Sequence, residues 1–234
     1  RYINEYFWNN TPASTSGLWT QAYYSIARCN NVINTISEGF TETGIEQDDI
    51  DVLHGEALFL RALAHFDLAR QFALPYSLST TNMGVPVVLV TANEYPPRDN
   101  VGAVYDQVVT DLLAAIPLLQ KMTTPRVDNL GSATQWAAKA LLARVYLYME
   151  NWSGAAAMAT DVIANGGFTM FTPTDYTVYQ SGGYWGGGVQ FGEIIFQVDG
   201  SEGNTNHGYW VDISYMTNPD QSYGDFAVSL DLYN

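Results

Sequence analysis

Two helical stretches do most to constrain what this chain can fold into. Residues 55–72 (GEALFLRALAHFDLARQF) and 137–168 (AAKALLARVYLYMENWSGAAAMATDVIANGGF) are dense in Ala and Leu, with aromatic residues at helical spacing. The second contains a short turn of its own, so it reads as a helix–turn–helix unit. Small residues let two antiparallel helices approach closely, while aromatic rings fill the space between neighbouring pairs. Units of this kind build a curved scaffold and rarely do chemistry.

Within the second stretch, Leu142, Ala143, Tyr146 and Ala155 fall where a tetratricopeptide unit wants Leu, a small residue, Tyr and Ala. The rest of the chain fits that reading. Residues 18–37 place Leu18, Ala22, Ile26, Cys29 and Ile33 on one helical face. Glu42, Glu46, Asp48, Asp49 and Asp51 precede a helix over 52–72, where the dipole and free N–H groups favour acids. Residues 73–100, with four prolines and the apolar run 85–90, form a long connector. Asp99 or Asn100 then caps a helix over 102–121, which Pro117 interrupts near its end. Ser132-x-x-Gln135 resembles a capping box opening the fourth helix, and a fifth runs from Ser153 to the stop signal Asn165-Gly166-Gly167.

From Phe168 onward the periodicity fades. Six glycines crowd around Tyr184 and Trp185, and residues 194–198 read as a short strand. The fold class is therefore mainly α: tetratricopeptide-like antiparallel helix pairs (an α-α superhelix) with an irregular, Gly- and aromatic-rich C-terminal segment. The expected organisation is a helical-repeat core over 1–168 and a loop-rich segment with short strands over 169–234, in the same domain.

Charge excludes one class of partner. The net charge is −15 and only nine basic residues are scattered along the chain, whereas nucleic acid needs clustered Lys and Arg. Sixteen Tyr, six Trp and a charged fraction of 14% suit neutral, polyhydroxylated ligands, whose C–H faces lie against rings while amides bond their hydroxyls. Many of those rings are expected in the core instead. The single cysteine, Cys29, sits inside a helical pattern and reads as a buried thiol. No stretch approaches the ~20 apolar residues needed to span a bilayer. The chain opens on Arg1, without a signal peptide, and any lipid anchor would lie upstream.

Catalytic patterns are missing. There is no Gly-x-Ser-x-Gly, and the glycine cluster matches neither phosphate-cradle motif. His54 and His65 are eleven residues apart, about 16 Å along a helix, too far to share one metal. Asp220 and Asp225 are weak calcium donors at best, and no EF-hand pattern is present. Glu56 and Arg61 point about 140° apart on a helix, so each needs a neighbour from another element. No cofactor and no metal are expected.

The order and spacing of several motifs resemble the SusD/RagB family of nutrient-binding outer-membrane lipoproteins. The motifs are Trp19-x-x-x-Tyr23-x-x-Ile26-x-x-x-Asn30, then Gly55-Glu56-Ala57-x-Phe59-Leu60-Arg61-Ala62, then Arg98, Tyr105 and Asp111-Leu112. Ala137-Ala138-x-Ala140-Leu141-Leu142-Ala143-Arg144-Val145-Tyr146 and Glu193-Ile194-Ile195-Phe196 continue the series. One departure is Phe72-Ala73-Leu74-Pro75, where the family shows Phe-Gly-x-Pro. The resemblance implies a non-catalytic binder of oligosaccharide at the cell surface of the outer membrane. It would pass its ligand to a TonB-dependent (SusC-like) channel, with the membrane reached only through a lipid anchor outside this chain. Peptide ligands occur in the same kind of complex, and a tetratricopeptide-like protein–protein adaptor is the alternative outside it. It also implies that the chain is part of a longer protein.

The family motifs are scaffold positions, so candidate ligand contacts come from chemistry alone. Tyr184 and Trp185 sit in a glycine-rich loop; Tyr209 and Trp210 lie near Asn206; Trp8 is flanked by Asn9 and Asn10. For each cluster, ligand contact and the anchoring of a loop fit equally well. Trp19 and Trp152 are assigned to packing.

Overall fold

The structure is a computed structural model that describes residues 12–92, 95–123, 131–172, 174 and 192–197. The chain divides into the unit Leu18–Gln197, which holds the architecture below, and a second unit of Arg1–Gly17 with Val198–Asn234. Five helices appear among the described residues: α1 (Pro12–Ser37), α2 (Gln47–Phe72), α3 (Val101–Leu119), α4 (Gln135–Tyr148) and α5 (Trp152–Asn165).

Helix ends follow local chemistry. Asn100 caps α3 by accepting from the N–H of Ala103 at 2.8 Å. Asp48 and Asp49 occupy the first turn of α2, which begins at Gln47 rather than at Val52 because the acids are part of the helix. The capping box at Ser132 is corrected: Thr134 is the cap of α4, its hydroxyl accepting from Ala137 N at 3.3 Å. α5 starts one residue earlier than expected, with Asn151 accepting from Gly154 N at 3.1 Å.

Apolar stripes on α1 to α4 meet in one core. Ile26, Phe66, Leu68, Leu112, Leu119, Leu142 and Val145 are almost completely buried in it. α2 and α3 approach closely at Gly55, where an added Cβ would come within 2.9 Å of Leu119 Cγ and 3.1 Å of Leu118 Cβ. Rings lock the packing edge to face: Phe66 meets Tyr105 and Tyr148, and Phe59 meets Phe196 with centroids 5.1 Å apart.

Four readings are amended. Residues 194–197 form no strand: Thr169 N donates to Gly192 O, but that single bond is not a ladder, and Phe196 is held by Phe59 instead. Trp152 does not pack within the described residues but is 61% exposed, because α5 meets α4 through its opposite face. Leu18, at the first turns of α1, is half exposed rather than on the buried stripe. α3 is long and apolar enough by composition to cross a membrane, although it is a core helix with eight buried residues, one of them the charged Asp111.

The α4–α5 turn has three residues, Met149, Glu150 and Asn151. Asn151 N donates to Tyr146 O at 2.9 Å and Glu150 N to Leu147 O at 3.1 Å, the paired bonds of a Schellman ending. That ending needs a left-handed residue, and Glu150 takes it with φ 60°. A side chain there costs energy that glycine does not incur. Glu150→Gly is expected to stabilise the chain by about 0.5–1 kcal/mol, read from the urea midpoint. A loss of stability would contradict this account of the turn.

Candidate functional site

The six candidate contacts read from the sequence, Trp8, Tyr184, Trp185, Asn206, Tyr209 and Trp210, all lie outside the described residues. What the structure displays is the frame that would carry them. Its centre is polar.

α2 places Arg61 in the core, 6% exposed. The guanidinium makes a bidentate pair with Asp111 of α3, Nε to Oδ2 at 2.8 Å and Nη2 to Oδ1 at 2.7 Å. Its third arm, Nη1, donates to Asn30 Oδ1 of α1 at 2.9 Å. Gln107, one turn before Asp111, donates to Asp111 Oδ1 at 2.8 Å. The tie between helices expected for Arg61 is therefore present, and it joins three of them. Among the described residues no buried side-chain nitrogen or oxygen lacks a partner.

The network continues into the connector. Asn30 Nδ2 donates to Val88 O at 2.9 Å, Tyr23 Oη to Pro86 O at 2.9 Å, and Thr91 Oγ1 to Ala27 O at 3.0 Å. An extended segment without a strand partner must satisfy its backbone elsewhere, and here helix side chains supply the bonds. His65, fully buried on α2, takes part from below. Its Nε2 accepts from Val88 N at 3.3 Å, which leaves Nδ1 protonated to donate to Arg61 O at 3.1 Å. Arg98 closes the far end of the connector, donating to Gly84 O and to Phe72 O at the C-terminus of α2.

Titration behaviour follows from this burial. Desolvation pushes the pKa of His65 down to about 4, outweighing the opposing pull of its bond to Arg61 O and of the Asp111 charge. Burial also raises the Cys29 thiol, which agrees with an inert core cysteine. Tyr105 is pushed up to about 12 by burial. Ion pairs at the surface are structural: Lys121 joins Asp48 and Asp51, and Lys139 joins Asp161 across α4 and α5 at 2.7 Å. A largely apolar groove of about 400 Å³ lies between α1 and α2, with Cys29, Val32, Leu60 and Phe196 among its walls. Among the described residues no group of three or more His, Cys, Asp or Glu could hold a metal ion.

Asn30, His65 and Asp111 did not emerge from the sequence as partners of Arg61. The signal was there. Each is a polar residue set within the apolar stripe of its own helix, the mark of a buried hydrogen-bonded group.

Fold and frame define the class: a helical-repeat scaffold stitched by a buried ion pair. A family model described as "starch-binding associating with outer membrane" matches residues 1–147, and the chain belongs to this SusD-like family. A SusD-like protein of Bacteroides ovatus is 27% identical, with the match covering 67% of this chain and 29% of the relative. Among solved structures, a Bacteroides vulgatus protein named for sugar binding is 29% identical with a TM-score of 0.73, over 87% of this chain and 45% of that one. A SusD superfamily protein of Bacteroides thetaiotaomicron is 32% identical with a TM-score of 0.61, over 70% of this chain and 35% of that one. The chain thus spans less than half the length of these relatives.

Removing one partner of the pair strands a buried charge. Asp111→Ala is expected to cost about 3–5 kcal/mol in urea denaturation, while Arg61→Met/Asp111→Leu together cost less than the single change. Equal losses in both would show that the charge pair is not what holds the three helices.

The histidine adds a pH dependence. With its folded-state pKa depressed from 6.5 to about 4, the unfolded chain binds a proton in that window that the folded chain refuses. The contribution is complete above about pH 6.5 and is lost as pH falls toward 4, to a total of about 3 kcal/mol. Urea titrations across this window should show that loss in the wild-type chain and a smaller one in His65→Gln. Identical pH profiles for the two would exclude His65 as the source.

Proposed function

We propose that this chain belongs to a non-catalytic oligosaccharide-binding lipoprotein, which captures glycans at the surface of the outer membrane and delivers them to a TonB-dependent channel. The observation that carries the reading is the family match over residues 1–147, to a family described by starch binding and outer-membrane association. The fold likeness to a Bacteroides vulgatus protein named for sugar binding supports it. The scaffold is consistent with binding rather than catalysis. Among the described residues, its buried Arg, Asp and His side chains, Arg61, Asp111 and His65, are bonded to one another or to backbone and to neighbouring amides.

In this reading the helical core keeps a rigid frame, and aromatic residues outside the described part meet the sugar. Trp185, Tyr184, Trp210, Tyr209, Trp8 and Asn206 are the proposed contacts. Stacked rings and amides suit neutral hydroxylated ligands, and only 14% of the residues are charged. Single-site affinity would be weak, with the channel complex adding effective concentration.

Calorimetry of the full-length protein against neutral and acidic oligosaccharides tests this directly, with Trp185→Ala and Trp210→Ala alongside. The expected result is saturable binding to one sugar class, lost in either variant with the fold intact. Silence across the sugar panel, with binding to peptides, would replace glycan by peptide as the nutrient.

A further inference from the structure

Between α2 and α3, residues 73–83 form a closed loop. Both of its ends are held by one side chain: the Arg98 guanidinium donates to Phe72 O before the loop and to Gly84 O after it. The start of α3 fastens it from the other side, with Gly102 N donating to Thr80 O and Val101 N to Asn82 O, both at 2.8 Å. Tyr76 turns inward and meets Tyr105 of α3, with ring centroids 4.9 Å apart. A loop closed and anchored in this way is an Ω-loop, a type that keeps its own packing and often carries function.

What the loop shows to solvent is apolar. Leu74 is 56%, Leu78 67% and Met83 65% exposed. Three such side chains on one short loop exceed the scattered single ones that any surface carries. None of the eleven residues is charged, in a chain of net charge −15, and residues 71–97 hold a single charged side chain, that of Glu94. Leu74 and Met83 flank a shallow depression whose wall also includes Arg98, so a cation stands at the base of the apolar tip. Much of the backbone is bonded inward as well: Leu78 N donates to Pro75 O at 3.1 Å, and α3 takes up Thr80 O and Asn82 O. Those groups need no water at the depth of a lipid interface.

We propose that this loop dips into the membrane interface, with Leu74, Leu78 and Met83 among the acyl chains and Arg98 at headgroup depth. The folded protein would then touch the bilayer directly, in addition to any lipid anchor. Three observations select lipid as the occupant. The matching family is described as associating with the outer membrane. A strongly acidic chain is held off an anionic surface except where charge is missing, and this loop is such a place. Its apolar residues are aliphatic, which gain from a hydrocarbon phase, whereas protein interfaces draw their energy from Trp, Tyr and Arg, with Leu under-represented. The contact rests on the outer-membrane reading above and is independent of the nutrient bound.

Flotation of the full-length protein, expressed without acylation, tests this with vesicles of phosphatidylcholine alone and with added phosphatidylglycerol. The expected result is binding to the neutral vesicles that persists at high salt, is no stronger on the anionic ones, and falls about tenfold in Leu78→Asp. The exposed position of Leu78 predicts an unchanged thermal midpoint and unchanged oligosaccharide binding in that variant. An independent readout is Leu78→Cys carrying an environment-sensitive dye, since native Cys29 is buried. Its emission should shift to the blue with vesicles and be quenched by nitroxide-bearing lipid. Wild-type protein that fails to float, or flotation that Leu78→Asp leaves unchanged, would overturn the proposal while glycan capture stands. A dye shielded before vesicles are added, or only with the channel present, would overturn it too and assign the loop to another part of the chain or to the channel.

Discussion

The bidentate pair of Arg61 and Asp111 is the interaction on which the described structure depends. Burying two opposite charges costs several kcal/mol per ion, and the cost is repaid only with good geometry and every remaining polar atom bonded. Here that condition is met by Asn30 and Gln107, which take up the open guanidinium arm and a carboxylate lone pair. Such a pair contributes little net stability over an apolar substitute. Its value lies in registration: α1, α2 and α3 can slide past one another only by breaking it.

The same network explains how a long connector becomes part of the scaffold. Residues 86–91 run extended outside any ladder, and their backbone is bonded by Tyr23, Asn30, His65 and Asp99, while Val85, whose carbonyl accepts from Asp99 N, is buried in the core. Trp19, Tyr23, Ile26 and Asn30, which appear in sequence as a spaced motif, thus have separate tasks. Trp19 meets Tyr23 at a tilt and Phe72 edge to face, Ile26 fills the core, and the two polar residues hold the connector. The motif is a wiring pattern. A protein wired this way can vary its loops while its frame stays constant.

The helices were legible because helix formation is local. The apolar period and the cap at Asn100 placed all five helices, with starts displaced by one to six residues. The displaced starts are instructive. Residues 12–17 carry no apolar stripe, and at α2 the acids that read as a prelude are the first turn itself. Thr134 was missed as a cap because Ser132-x-x-Gln135 offered an equally good local pattern, and the pattern alone cannot say which oxygen meets the free N–H. Residues 194–197 have strand-forming side chains, but a strand exists only with a partner, and Phe196 found an aromatic ring instead. The candidate ligand contacts fell outside the described residues, so that part of the sequence reading rests on residue chemistry alone.

By itself the sequence determined the class of fold, the buried state of Cys29, the need of Arg61 for a partner outside its own helix, and the family. These follow from spacing within one helix, from burial of apolar stripes and from ordered motifs. Tertiary structure decided which partner each group found. Asp111 lies 50 residues from Arg61 and Asn30 lies 31 away, and Trp152 is exposed because α5 presents its other face to α4. Choices of that kind depend on how separate helices pack against each other, and side-chain period along one helix does not encode the position of the next.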